Sequence, residues 1–280
     1  MKAGRRGGSI VGAYLSLTVI CGLAGPGLSA PPSRWTIDTT SGVTGTTVPD
    51  QSVNGVRATD VTVLGGEELL VYSVNLDGCL HISQPAPPTT VGVRIYDSDT
   101  QELVASRERT FWFEVNCAWD YPISALLQPG RDYRIGWFID AGASPAYADM
   151  FRPDSFPYWE TEGLFRINGG YAAGADVFPS NASELVPPTE LEVAQGFVYG
   201  DANLNGCVDG LDYSCWSLNY LSAGGWVGGD FNFDGITDGL DYNNWSLHYG
   251  YGCPWAGAGI PEPSCTVVLI LAVWTLRRRR

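Results

Sequence analysis

Two stretches of this chain place oxygen-bearing side chains at alternate positions. Asp201–Asp212 reads DANLNGCVDGLD, and Asp230–Asp241, 29 residues on, reads DFNFDGITDGLD. Hard cations such as calcium take about six to eight oxygens, supplied by a twelve-residue loop at positions 1, 3, 5, 7, 9 and 12 with glycine at 6. The first loop offers Asp201, Asn203, Asn205, the carbonyl of Cys207, Asp209 and Asp212, around Gly206. The second offers Asp230, Asn232, Asp234, the carbonyl of Ile236, Asp238 and Asp241, around Gly235. Position 9 often acts through a water, so Asp209 and Asp238 are the more distant ligands. Aspartate at position 12 has a shorter arm than the usual glutamate. The spacing predicts two calcium ions.

Charge supports the same reading. No Lys or Arg occurs between Arg166 and Arg277, an interval with twelve acidic residues. Loop one carries three carboxylates and loop two four. Without a cation these groups repel one another, and no basic side chain is near them in sequence. On ligand charge alone, loop two is the tighter site. Magnesium fits less well, because it demands a small octahedral site and keeps its waters. Asp, Asn and Gly also form ordinary turns; two copies in one register, each leading into the same pattern, argue against that simpler explanation.

The elements that position the loops follow them. Gly200–Tyr220 and Gly229–Tyr249 share 13 of 21 residues. Leu211, Cys215 and Leu218 fall at helical spacing, as do Tyr213, Trp216 and Tyr220. The second copy repeats this with Leu240/Leu247 and Tyr242/Trp245/Tyr249. These aromatics read as the core of a small helical module rather than a ligand box. About sixty residues is small for a core, so bound metal is expected to supply much of its folding energy.

The paired D-x-N-x-[ND]-G-x-x-D-x-x-D loops, each followed by a helix, resemble a type I dockerin over roughly 199–249. The resemblance implies calcium binding and a cohesin-type protein partner. Where that family often carries Ser-Thr after loop position 9, this chain carries Gly210-Leu211 and Gly239-Leu240.

The two ends read as export signals. Lys2, Arg5 and Arg6 precede an apolar run, Ile10–Leu23, and small residues to Ala30: a secretory signal over 1–30. The C-terminal stretch 256–280 holds Pro261, Glu262 and Pro263, then a short apolar segment, Cys265–Leu276, and Arg277–Arg280. Twelve residues are short for a span, which needs about twenty. This arrangement resembles a PEP-CTERM sorting tag, which implies an exosortase-type processing enzyme and transient membrane contact through both end segments. An ordinary C-terminal anchor is the simpler alternative. Either way the protein is expected outside the inner membrane, at the cell surface or beyond.

Between the signals lie an expected domain at 31–195 and the calcium module at 196–255. Strand signals dominate the first. Leu70–Val74 and Val91–Tyr96 alternate, Leu103–Ala105 and Thr110–Val115 are rich in β-formers, and a Leu127–Gly130 turn precedes Tyr133–Ile139. Short strands with Gly/Pro turns predict a mainly β protein built as an antiparallel β-sandwich, jelly-roll-like, followed by a small α-helical module. The strand–turn succession loosely resembles sandwich domains found beside PEP-CTERM tags.

Net charge of −14 and a single lysine exclude a nucleic-acid partner. His81 stands without a nucleophile-elbow motif, so no Ser-His-Asp assembly is expected. Glu108, Glu114, Glu160 and Glu162 could supply a glycosidase pair, and Tyr158, Trp159 and Tyr171 could stack on sugars; core and surface roles explain them as well. The leading expectation is a non-enzymatic surface or matrix protein with polysaccharide or another surface protein as partner. The alternative is an extracellular polysaccharide-degrading enzyme or its binding module. Export makes disulfides plausible: Cys79–Cys117 is the natural pair, leaving Cys207, Cys215 and Cys253 with one unpaired.

Overall fold

A computed structural model describes residues 30–76, 80–82, 88–111, 119–142, 146–154 and 159–253. Both export signals, Cys79, Cys117, Glu114 and Tyr158 lie outside them. The chain is mainly β, in antiparallel sheets consistent with a β-sandwich.

Strands are numbered along the chain. One sheet runs β1 (Ser33–Asp38), β14 (Thr189–Gln195), β4 (Leu69–Leu76), β8 (Trp119–Leu127). The larger sheet runs β11 (Trp159–Thr161), β12 (Phe165–Ala173), β3 (Gly55–Val63), β9 (Asp132–Asp140), β6 (Thr89–Asp97), β7 (Leu103–Phe111), with β13 (Asn181–Ser183) also on β12. A third sheet joins β2 (Gly45–Ser52), β10 (Ala146–Pro153) and β5 (Leu80–Ile82), which carries His81 opposite Tyr147. The expected strands at 70–74, 91–96 and 133–139 fall on β4, β6 and β9. The two segments expected at 103–105 and 110–115 are joined in β7, whose described part ends at Phe111.

Inward-facing side chains from the two main sheets form one core. Leu69, Val71, Leu191 and Val193 from the smaller sheet meet Val93, Ile135, Trp137 and Phe165 from the larger. Tyr121 ties the layers by donating its hydroxyl to the Val91 carbonyl at 3.0 Å. Burial raises this phenol to about 12, so it stays a donor at any physiological pH.

The simple alternation expected along β4 fails for a physical reason. Leu70 and Tyr72 point away from the sandwich core, yet Leu70 is fully buried. It packs with Ala194, Ala202, Leu204, Trp226 and Phe231, so the C-terminal module covers the outer face of this sheet. A strand covered on both faces reads as a continuous apolar run rather than an alternating one. The far face of the larger sheet is covered too, by Phe178 against Tyr96 and Phe138.

The module holds α1 (Gly210–Leu218), a 3-10 turn (Trp226–Gly228) and α2 (Gly239–His248). Each loop ends in an aspartate N-cap, Asp209 or Asp238, at φ −140° in both. The halves clasp reciprocally: the Trp216 indole donates to the Asp238 carbonyl at 2.7 Å, and Trp245 to the Asp209 carbonyl at 2.9 Å. Val208 pairs with Gly250 and Tyr251 beyond α2, while Thr237 pairs with Leu221 and Ser222 beyond α1. Gly200 and Gly229 permit this closeness. Both sit near φ +95°, and a Cβ would lie 2.9 Å from the Trp245 Cα or 2.7 Å from the Trp216 Cα.

The helix tyrosines do not form the module's core, contrary to the expectation above, whereas Trp245 packs against it. Tyr213, Tyr220, Tyr242 and Tyr249 are 40–57 % exposed, and Leu218 and Leu247 about 80 %. Trp226 and Phe231, from the segment between the helices, fill the core instead. They gain the whole outer face of a sheet to pack on, which two helices of nine and ten residues cannot offer each other.

Candidate cation site

Each loop is folded by its own acidic and amide side chains. In loop one, Asp201 accepts from the Asn205 and Gly206 amides at 3.1 and 2.8 Å. Asn203 accepts from the Asn205 amide (3.0 Å), and Asn205 from the Cys207 amide (2.7 Å). In loop two, Asp230 accepts from Gly235 (3.1 Å), Asn232 from Asp234 (3.0 Å) and Asp234 from Ile236 (2.9 Å). Such Asx contacts turn the chain sharply. Gly206 and Gly235, at φ +84° and +85°, complete the turn, and Leu204 and Phe233 enter the left-handed region in matching places.

The position-12 aspartates staple loop to helix. Asp212 accepts from Asn203 (3.2 Å) and Asp209 (2.8 Å); Asp241 accepts from Phe231 (2.8 Å), Asn232 (3.0 Å) and Asp238 (2.8 Å). With Asp209 and Asp238, which accept from Leu211 and Leu240 at 2.7 Å, they make two capping boxes. Every position-12 carboxylate oxygen is therefore already hydrogen-bonded.

Asp201, Asp212, Asp230 and Asp241 are fully buried. Burial, with Asp201 and Asp209 nearby, pushes the Asp212 carboxyl up to about 6. Burial, then Asp241 and Asp234, pushes Asp230 up to about 6, partly offset by the Gly235 amide. Asp201 and Asp241 are raised for the same first reason. One atom stands out. The Ser124 hydroxyl spends its proton on the Asp230 main-chain carbonyl (3.0 Å), and Asp230 Oδ1 is buried without a hydrogen-bond partner. Such an oxygen is costly unless a cation or proton meets it.

Among the described residues, no three His, Cys, Asp or Glu side chains cluster tightly enough to hold a metal by themselves. Any ion in these loops needs the asparagine side chains and the Cys207 and Ile236 carbonyls as well. That donor set is all oxygen, the chemistry hard cations prefer.

Of the module's three cysteines, expected to leave one unpaired, Cys207 bonds to Cys253, tying loop one to the chain after α2, and Cys215 is the free one. Sequence reasoning missed two features. The docking of loop two on β8 involves Ser124, far away in sequence. Six helix aromatics form a continuous, partly exposed ribbon, Tyr220–Trp216–Tyr213/Tyr242–Trp245–Tyr249, with neighbouring ring centroids 5.1–6.4 Å apart. Its signal was present as repeated Tyr and Trp; periodicity alone does not say which side is covered.

The other candidates are dispersed. Glu108 pairs with Arg94 at 2.7 Å. Trp159 lies in the sandwich core and donates to the Thr39 carbonyl at 3.1 Å. The Arg134 guanidinium sits 3.5 Å over the Tyr171 ring, so that face is taken.

No family model matches the chain, and no curated protein matches it. Two solved structures of infectious bursal disease virus align with it. The Gt strain structure has 13% identity over 60% of this chain with a TM-score of 0.24. A mutant VP2 protein in derived particles has 11% identity over 59% with a TM-score of 0.20. The chain spans 37% and 39% of those longer proteins, and at these scores the likeness carries no argument.

Proposed function

We propose that this is an exported, non-enzymatic surface or matrix protein, with a β-sandwich that binds and a dockerin-like module folded by two calcium ions. The observation that carries the calcium reading is the buried, unpartnered Asp230 Oδ1 in a loop of four carboxylates. It is supported by the second copy of the loop and by the lack of any Lys or Arg between 167 and 276. Asp201, Asn203, Asn205, the Cys207 carbonyl, Asp209 and Asp212 would hold one ion. Asp230, Asn232, Asp234, the Ile236 carbonyl, Asp238 and Asp241 would hold the other. When bound, calcium would supply positive charge between carboxylates that make no salt bridge among the described residues, and the loops supply shape through their Asx turns.

A jelly-roll wind of the sandwich is supported by strand order. Reading β1, β3, β4, β6, β7, β8, β9 and β14 as strands one to eight, the sheets run 1-8-3-6 and 2-7-4-5, as two nested Greek keys require. Export, exosortase processing at Pro261–Pro263 and a cohesin-type partner rest on the sequence patterns alone. The disulfide is in keeping with an oxidising compartment.

The test is thermal melting of the full chain in calcium and in chelator. We expect chelator to lower the melting temperature by at least 10 °C and calcium to restore it, with magnesium much less effective. Superimposable curves would remove the calcium reading. Hydrolysis of any polysaccharide in a panel would overturn the non-enzymatic one.

A further inference from the structure

Exposed apolar surface is concentrated on one part of the molecule. Of fourteen large hydrophobic side chains left exposed among the described residues, twelve belong to the C-terminal module and two, Leu103 and Val177, to the sandwich. Single exposed apolar groups are ordinary, whereas a contiguous patch marks a surface that something covers. The contiguous patch here is the ring ribbon on α1 and α2. From Tyr220 it runs through Trp216, Tyr242 and Trp245 to Tyr249 in four steps of 5.1–5.5 Å. That is roughly 20 Å along the path, close to the length of about 18 Å for twelve residues of helix. Tyr213 widens the middle, against Trp216 and Trp245.

The chain carries a segment of matching chemistry. Cys253, bonded to Cys207, follows Tyr249 by four residues, so the chain leaves the module beside one end of the ribbon. Residues 254–280 lie outside the described residues; their sequence is an eleven-residue spacer, the apolar run Cys265–Leu276 and Arg277–Arg280. A spacer of that length reaches about 36 Å when extended, more than the ribbon needs. Charge points the same way. The module has no Lys or Arg, and Asp209 and Asp238 flank the ribbon's centre, where their main-chain carbonyls accept from the Trp245 and Trp216 indoles. Four arginines bring the missing sign, and guanidinium groups stack on tyrosine faces as well. The tether holds the run at an effective concentration of about millimolar, so a weak contact suffices.

We propose that the ring ribbon is the docking site of this chain's own C-terminal apolar run, Cys265–Leu276, which it covers in water. The run is shorter than the twenty or so residues that a membrane span needs, and bare in water it is an aggregation hazard. The ribbon gives it a reversible cover within the same molecule. The inference goes beyond the proposed function: it concerns the chain before any processing of its tail, and it does not need the loops to hold calcium.

The experiment is photo-crosslinking of the full chain in calcium, at low micromolar concentration. Benzoylphenylalanine replaces Tyr213, Tyr220 or Tyr249 on the ribbon. The control position is Leu218, which is 85 % exposed and, two residues from Trp216, points about 200° round the helix from it. Mass spectrometry should find crosslinks from the ribbon positions to 265–276 about tenfold above those from Leu218. Leu269→Asp with Leu271→Asp leaves the module's own residues untouched and should lower the ribbon crosslinks about tenfold. Melting curves show that each variant is folded. The proposal is overturned if no crosslink reaches the run, if Leu218 labels it as well as the ribbon does, or if the aspartates change nothing. Ribbon crosslinks to 10–23, to the sandwich or to a second copy instead would assign the face to another occupant and overturn it too.

Discussion

Loop one and loop two share their turns, caps and helices, yet the molecule holds them differently. Loop one is fastened within the module: Cys207 is bonded to Cys253, and both Asp201 oxygens accept main-chain amides. Loop two is fastened to the sandwich: Ser124 donates to the Asp230 carbonyl, and Gly225, just before it, lies against the backbone of Pro122 and Ile123. The price of the second arrangement is Asp230 Oδ1, buried and unpartnered. Repeats that share 13 of 21 residues thus give one loop with its first aspartate fully hydrogen-bonded and one whose first aspartate keeps an unpartnered oxygen against the sandwich. Trp226 links them, since it starts the 3-10 turn before loop two while its indole donates to the Asp201 carbonyl at 2.8 Å.

The largest expected effect is on pH. In chelator, Asp212 and Asp230 titrate near 6 in the folded chain, above the ordinary 3.8, and Asp201 and Asp241 are raised too. The folded state then binds protons more tightly than the unfolded one. Stability is fully present below about pH 4 and is lost as pH rises through about 6, by up to ~5 kcal/mol. With calcium the sign reverses, because protons compete with the ion. Melting from pH 4 to 8 in both conditions checks this; slopes of equal sign would break the assignment of both loops.

Next comes the disulfide. A bridge between residues 46 apart stabilises by about 4 kcal/mol in the chain-entropy description. Cys207→Ser with Cys253→Ser should lower the melting temperature by roughly 10 °C. Calcium titration of that variant should show one weakened site and one spared. Equal weakening would mean that the loops are not independently fastened.

Gly225→Ala attacks the other fastening. The new Cβ would fall 2.5 Å from the Ile123 amide nitrogen, at φ +60°, where L residues are strained. A cost of about 2 kcal/mol is expected, with loop two losing affinity and loop one keeping it. Calcium titration beside the cysteine variant gives the mirror-image comparison.

How much of this was legible in the sequence depends on range. The loops were readable because their contacts span a few residues: Asx turns, glycines at the sixth position and capping boxes are local chemistry. The sandwich was readable as a class from β6 and β9, whose periodicity is strong. What escaped reading is long-range. Nothing in Leu70 says that its face will be covered, so β4 was read as alternating. Nothing in Tyr213 or Leu218 says that Trp226 will take the core position and leave them exposed. Ser124 became a site residue only through folding, when a residue over a hundred positions from loop two came to bond it.

The smallest effect is also the sharpest test of the comparison, because the two loops should respond with opposite signs. Asp201→Asn keeps one acceptor oxygen but gives up the other, so either the Gly206 amide loses its partner or the Asn205 amide loses one of its two. In chelator this should cost about 1 kcal/mol. Asp230→Asn removes a buried charge, keeps an oxygen for the Gly235 amide, and puts a neutral group where Oδ1 had no partner. In chelator it should therefore stabilise, by about 1 kcal/mol or a few degrees. In calcium both substitutions should destabilise, since each deletes a ligand charge. Parallel melting of the two variants in the two conditions gives four shifts, of which only Asp230→Asn in chelator is expected upward. If it falls with the rest, Asp230 Oδ1 has a partner in solution, and loop two is no more dependent on its ion than loop one.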